Sequence, residues 1–284
     1  VAEGEPASPG KFDRDTAVLP VGDSDAGREF LATISPDWKA GLGPHGGYLA
    51  AILLRALVES VDDPQRAPRS LTIHYLRPPR AGQVQITTVL ERRGRSLSSL
   101  SARMVQDGKL IAIVLAAFSV PWAGPEISEL SMPDVPPPDT RREPGAQVKH
   151  GAPPFNAQLV LQPRIGGAPF TGVEQPMVSG GWIGIADPRP LDALALAFFC
   201  DALIPTPFLR TGAPAPAPTV DLTVHFRVAL PRTPDPDPLE LCLVQTQSQV
   251  IHEGFFAEDT TIWASDGKLL AQGRQLAILM PEAV

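Results

Sequence analysis

Cysteine is almost missing from this 284-residue chain: there are two, Cys200 and Cys242. Two thiols in a chain this long make no disulfide framework, and neither sits in a metal-spaced cluster. The five histidines, His45, His74, His150, His225 and His252, show no metal-ligand spacing either. No metal and no cofactor are therefore expected. The chain has no Walker loop and no dinucleotide glycine fingerprint. It also lacks the Gly-x-Ser-x-Gly elbow that would present a serine nucleophile. No stretch reaches membrane-spanning length, and the first residues lack a basic start with an apolar core. A cytoplasmic location with free thiols is the expectation. Basic charge is in short supply, with 24 Lys and Arg against 31 Asp and Glu for a formal net charge of -7. That balance argues against general nucleic-acid binding and leaves room for a local basic pocket.

What is present is alternation. Thr219–Phe226 places Val220, Leu222, Val224 and Phe226 on one face and Thr219, Asp221, Thr223 and His225 on the other, the period of a strand with one buried face. Leu222-Thr223-Val224-His225-Phe226 is echoed far upstream by Leu71-Thr72-Ile73-His74-Tyr75. A helix-like run precedes each copy, Gly47–Val58 and Leu191–Leu203. Strand-like runs follow each: Gln83–Glu91, Ser98–Gln106 and Leu110–Val120, then Leu239–Gln247, Phe255–Ala264 and Leu269–Met280. The last hairpins share a turn, Asp107-Gly108-Lys109-Leu110 and Asp266-Gly267-Lys268-Leu269, and Asp-Gly between strands is a strong hairpin signal. Helix, strand and hairpin recur in one order, so the chain reads as a duplicated α+β module, each sheet wrapped on its helix. At 43% hydrophobic the chain has enough apolar residues for real cores.

Outside the repeats, Val1–Arg14 is polar and reads as poorly ordered. Thr16–Pro20, Phe30–Pro36, Gln158–Ile165 and Ser179–Ile185 read as further strands. Pro121–Pro154, rich in Pro, Asp and Glu, reads as a partly extended linker. Glu91–Ser96, with Arg92, Arg93 and Arg95, is a basic turn: a solvated hairpin tip, or a guanidinium clamp for phosphates.

Three polar residues stand out. Asp201 is the only charged residue from Ala193 to Leu209; it has either a task or a helix-end role with nearby backbone as partner. Gln275 interrupts the small-residue face Leu269, Ala271, Gly273, Ala277, Leu279. Thr219 follows Pro218 directly. In the first half the corresponding positions read Arg55, Pro68 and Ala116, which suggests one complete site and one defunct counterpart. Thr219 shares the polar face of its strand by strict alternation, so it joins a buried site only through a bulge or bend; otherwise Thr223 or neither is the hydroxyl. Gly46 and Gly47 open the first helix. They either allow close packing or offer free N–H groups to an oxyanion.

The order of His45-Gly46-Gly47-Tyr48-Leu49-Ala50-Ala51, Leu71–Pro78, Gly181-Trp182, Phe199-Cys200-Asp201, Thr219-Val220-Asp221-Leu222-Thr223 and Asp266–Gln275 resembles the acyl-CoA thioesterase II family, the double-hotdog thioesterases, over nearly the whole chain. The resemblance implies an α+β double hotdog with two helix-wrapped antiparallel sheets joined side by side. It implies an N-terminal hotdog over 15–121, a Pro-rich linker over 122–156 and a C-terminal hotdog over 157–284. It also implies hydrolysis of an acyl-CoA thioester by water activated at Asp201, Thr219 and Gln275, with Gly46 and Gly47 at the oxyanion. Arg92, Arg93 or Arg95 would meet the CoA phosphates. A homo-oligomer is expected, with no nucleic-acid partner and no membrane span. A hotdog dehydratase is disfavoured: its Asp-x-Asn-x-x-His motif is absent, since the only asparagine is Asn156 and Pro154 stands two before it. A non-catalytic acyl or acyl-CoA binding protein on the same fold is the alternative.

Overall fold

The computed structural model describes residues 9–139 and 152–280. The first half runs α1 (Lys11–Asp15), β1 (Val18–Ser24), β2 (Gly27–Ile34), β3 (Lys39–Ala40), β4 (Gly43–Pro44), α2 (Gly46–Val61), β5 (Ala67–Tyr75), β6 (Gly82–Arg93), β7 (Leu97–Gln106) and β8 (Lys109–Ser119). The second runs β9 (Leu159–Ile165), β10 (Val178–Ile185), α3 (Ala193–Phe199), β11 (Thr219–Phe226), β12 (Cys242–Gln247), β13 (Ile251–His252), β14 (Phe255–Trp263) and β15 (Leu269–Ile278).

Apart from the separate β3–β4 pair, the strands form one antiparallel sheet in the order β1-β2-β6-β7-β8-β5-β11-β15-β14-β12-β10-β9, with β13 attached to β14. The two echo strands meet at its centre, where Thr72 pairs with Thr223 and Ile73 with Leu222. Their hydroxyls touch across the joint at 3.1 Å, while His74 and His225 are exposed beside them. Alternation therefore does what the sequence promised: Leu71, Ile73, Leu222 and Val224 point inward and are buried.

Helix α2 is apolar nearly all round, and Tyr48 through Leu54 are buried without interruption. Such a helix belongs inside, and here the sheet wraps it. It ends at Asp62, which takes a left-handed conformation with φ 47°. Helix α3 is shorter than the expected Leu191–Leu203. Asp192 caps it by accepting the Ala195 N–H at 2.9 Å, and it closes at Cys200. The physical reason lies just downstream. In a continued helix the Asp201 carbonyl would accept from residue 205 and the Leu203 carbonyl from residue 207; both are prolines and have no N–H to give. One hydrophobic core takes in both helices and the inner faces of both halves.

A further expectation is corrected. Lys11–Arg14 is not loose: it lies in α1, and Phe12 is buried edge-on against Trp38 at 5.7 Å between ring centroids. Val1–Ser8 lies outside the described residues. The linker, where it is described, is more than a tether. Met132 and Val135 pack on a second apolar cluster of Val160, Trp182, Leu241, Leu243 and Trp263, on the sheet face turned away from α3. The Trp182 indole N–H donates to the Pro136 carbonyl at 2.8 Å, and Arg164 pairs with Asp139 at 2.8 Å. Residues 132–139 thus form a strap over the second half. This explains why β10 is buried on both faces from Gly180 to Ile185.

Candidate active site

The site forms where the start of α2 meets the segment after α3. His45 caps α2: its Nδ1 accepts the Tyr48 N–H at 3.3 Å. A ring nitrogen that accepts carries no proton, so Nε2 bears it and donates to the Asp201 backbone carbonyl at 2.8 Å. That carbonyl is the one Pro205 leaves without a helical donor. Burial pushes the His45 pKa down, so the ring is neutral at physiological pH. Its 3.7 Å approach to the Asp201 carboxylate is a contact rather than an ion pair. Phe155 and Phe198 flank the imidazole, with ring centroids at 4.2 and 5.1 Å.

The Asp201 carboxylate faces α2. Its Oδ2 accepts the Gly47 N–H at 2.8 Å, at the positive end of the helix dipole. Burial raises its pKa, while the Gly47 N–H and the Gln275 amide favour the charged form. The side chain keeps 12% exposure, which leaves it within reach of water. Asp201 sits past a helix end with a backbone partner, and that partner belongs to the other half. Its expected counterpart in the first half is Arg55. Arg55 lies mid-helix and bonds to Asp13 and Thr16 of the α1 region.

Thr219 reaches the site through a bulge. It pairs with Ala277 while Asp221 pairs with Leu276, so Val220 is the extra residue. The slip turns Thr219 to the inner face, and its hydroxyl donates to Gln275 Oε1 at 3.0 Å. Thr223 stays on the opposite face with Thr72. Gln275 is 7% exposed and donates through Nε2 to Glu258 Oε2 at 2.7 Å. The structure thus brings Asp201, Thr219 and Gln275 to the start of α2.

The two glycines divide their work. The Gly47 N–H is taken by Asp201, whereas the Gly46 N–H has no hydrogen-bond partner among the described residues. The Gly46 carbonyl accepts the Tyr75 hydroxyl at 2.8 Å. Close packing is also real. A Cβ on Gly47 would lie 2.5 Å from the Phe198 carbonyl oxygen.

The basic turn is elsewhere. Arg66, just past the far end of α2, donates to the Gly94 and Arg95 carbonyls, and Arg93 approaches Asp63 at 3.8 Å. A helix of 16 residues spans about 24 Å, so Arg92, Arg93 and Arg95 sit a helix length from Gly46. Cys200 is buried against Gly273, and burial pushes its thiol far up, so it is an inert core residue.

Sequence reasoning missed His45 and Glu258 as members of this site. Alternation on β14 carried a signal for Glu258, which shares the buried face of Phe256, Thr260 and Ile262. Nothing local could pair His45 with residue 201. Among the described residues no cluster of His, Cys, Asp and Glu could hold a metal ion. No helix among them is long and apolar enough to cross a membrane.

Comparison with known proteins bears on the fold and the family. Residues 34–119 match the family model of the acyl-CoA thioesterase N-terminal domain, and residues 132–279 match that of the C-terminal domain. An uncharacterized protein of Mycobacterium tuberculosis is 26% identical, with 93% of this chain and 96% of the relative aligned. A hot dog fold protein of unknown function from Alicyclobacillus acidocaldarius superposes with a TM-score of 0.82 at 29% identity, over 97% of this chain and all of that one. A candidate thioesterase II from Thermobifida fusca gives 0.76 at 25% identity, over 95% of this chain and 98% of the other. An acyl-CoA thioesterase II from Mycobacterium marinum gives 0.73 at 21% identity, over 95% and 99% of the two chains, a likeness of fold. With a hot dog in each half and both thioesterase domains matched along its length, this chain belongs to the acyl-CoA thioesterase family.

Proposed function

We propose that this chain hydrolyses an acyl-CoA thioester to the free acid and CoA, with Asp201 as the general base. One observation carries the reading. A buried carboxylate with a raised pKa is held at the start of a helix, beside a hydroxyl and an amide that are hydrogen-bonded to each other.

A water at Asp201 is oriented by Thr219 and Gln275. Its oxygen forms the bond to the thioester carbon while Asp201 takes its proton. The carbonyl oxygen becomes an oxyanion and receives the free Gly46 N–H at the helix start. Collapse of the intermediate breaks the carbon–sulfur bond, and the proton on Asp201 passes to the leaving thiolate. The carboxyl's raised pKa suits both steps, because the group must accept a proton and return it near neutral pH.

The experiment is thiol release from butanoyl-, octanoyl- and palmitoyl-CoA by the wild type and Asp201→Asn. Asparagine keeps an oxygen for Gly47 and loses the base. Turnover lost with acyl-CoA still bound supports the reading. Binding without release by the wild type points instead to an acyl-CoA binding protein, and an active Asp201→Asn enzyme means the base is another group.

A further inference from the structure

Glu258 is a second buried carboxylate, and the reaction above does not use it. It is 2% exposed on β14, and no cation pairs with it among the described residues. It accepts three hydrogen bonds instead. The Thr206 N–H donates to Oε1 at 2.6 Å and the Thr206 hydroxyl donates to the same oxygen at 2.8 Å. The Gln275 amide donates to Oε2 at 2.7 Å. Thr206 lies in the short helical turn Thr206–Leu209, five residues past Asp201.

The polarity of this chain of bonds follows from the donor and acceptor count. Glu258 accepts at both oxygens, two bonds from Thr206 at Oε1 and one from Gln275 Nε2 at Oε2. The group of Gln275 that faces Glu258 must then be its NH2, and its carbonyl oxygen must face Thr219. A carbonyl oxygen cannot donate, so the Thr219 hydroxyl gives its one proton to Gln275. What remains on Thr219 is lone pairs, able to receive a proton from water. If the amide turned over, its NH2 would meet Thr219 and free the hydroxyl proton, so that Thr219 would donate to the water instead of accepting from it.

We propose that Glu258, anchored by Thr206, is a positioning residue: it fixes which way the Gln275 amide faces and so makes Thr219 an acceptor for the attacking water. The proposal rests on the catalytic reading of Asp201, Thr219 and Gln275, and it adds a residue that touches neither substrate nor water.

The test is a double-mutant cycle read by thiol release from butanoyl-, octanoyl- and palmitoyl-CoA. Glu258→Gln can turn its own NH2 towards Gln275 and so permits the flip. It is expected to lower kcat by about tenfold to a hundredfold, with KM little changed. In a Gln275→Ala background the same substitution is expected to lower kcat no further, because the group it acts through is gone. A purely structural role would not be masked in this way. An equal loss in both backgrounds overturns the proposal, as does an unchanged kcat for Glu258→Gln. Should Glu258→Gln fail to fold, Thr206→Val, which keeps the shape and removes one anchor, takes its place in the cycle with the same masking expected. Asp201→Asn runs alongside. Full turnover there overturns the catalytic reading and this proposal with it. Loss there with full kcat in Glu258→Gln overturns the positioning role alone.

Discussion

Gln275 and Ala116 hold the same place in the two halves: Gln275 lies opposite Leu222 on β11, and Ala116 lies opposite Leu71 on β5. The bulges match as well. The register slips between Thr219 and Asp221 in one half and between Pro68 and Ser70 in the other. The backbone of a site is thus built twice, and its polar side chains are present once. Gln275→Ala makes the two positions alike. We expect kcat to fall about a hundredfold through the loosened water, with little change in KM. Near wild-type turnover would place the water away from Thr219.

Gly46 and Gly47 separate chemistry from packing. A Cβ on Gly46 would lie 2.7 Å from Asp201 Oδ2, a side-chain atom that can move aside. Gly46→Ala should therefore fold normally and lose activity, because the carboxylate is displaced. A Cβ on Gly47 meets the backbone of Phe198, with the carbonyl oxygen at 2.5 Å and Cα at 3.0 Å. Backbone cannot yield without parting α2 from α3, so Gly47→Ala should cost about 1–3 kcal/mol of stability. Thermal melts beside activity assays check both. A Gly47→Ala protein that melts like the wild type would mean the helices can shift apart freely.

Asp201 should set the acid limb of the pH profile. Burial raises its pKa above the ordinary value of 3.8, and the base works only when ionised. Activity should therefore fall with decreasing pH through the raised value, earlier than for an exposed aspartate. The effect on stability has the opposite sense. The folded carboxyl holds its proton more tightly than the unfolded one. Its contribution favours folding below the unfolded value and is lost as pH rises through the folded value. Glu258, raised mainly by burial, acts in the same direction. Asp201→Asn carries no such charge, so it should melt above the wild type at neutral pH, with the gap closing below the ordinary carboxylate value. Equal melting at every pH would show that the Asp201 pKa is not raised in the folded state.

Much of this was legible because strands write a period into the chain. Thr219–Phe226 was bounded correctly because Leu222, Val224 and Phe226 are buried and the residues between them are not. The Asp107-Gly108 hairpin was legible because both residues adopt positive φ, 50° and 71°, which few residue types tolerate. The length of α3 is not legible in its apolar residues, which run on past Phe199, whereas Pro205 and Pro207 withhold the N–H groups a longer helix needs. The strap went unseen because Met132 and Val135 follow no period. The clasp of His45 on Asp201 joins residues 156 apart, and only the packed fold puts them in contact.

The pairing of β5 with β11 has a further consequence, for how the molecule assembles. A half made alone would leave one of these strands with an open row of N–H and C=O groups, the template on which other extended chains add. A site built between two separate subunits would also weaken on dilution, because its stability would depend on protomer concentration. With both strands in one polypeptide the joint closes within the molecule, at an effective concentration set by chain connectivity. The meeting of α2 with Asp201 is therefore independent of how much protein is present.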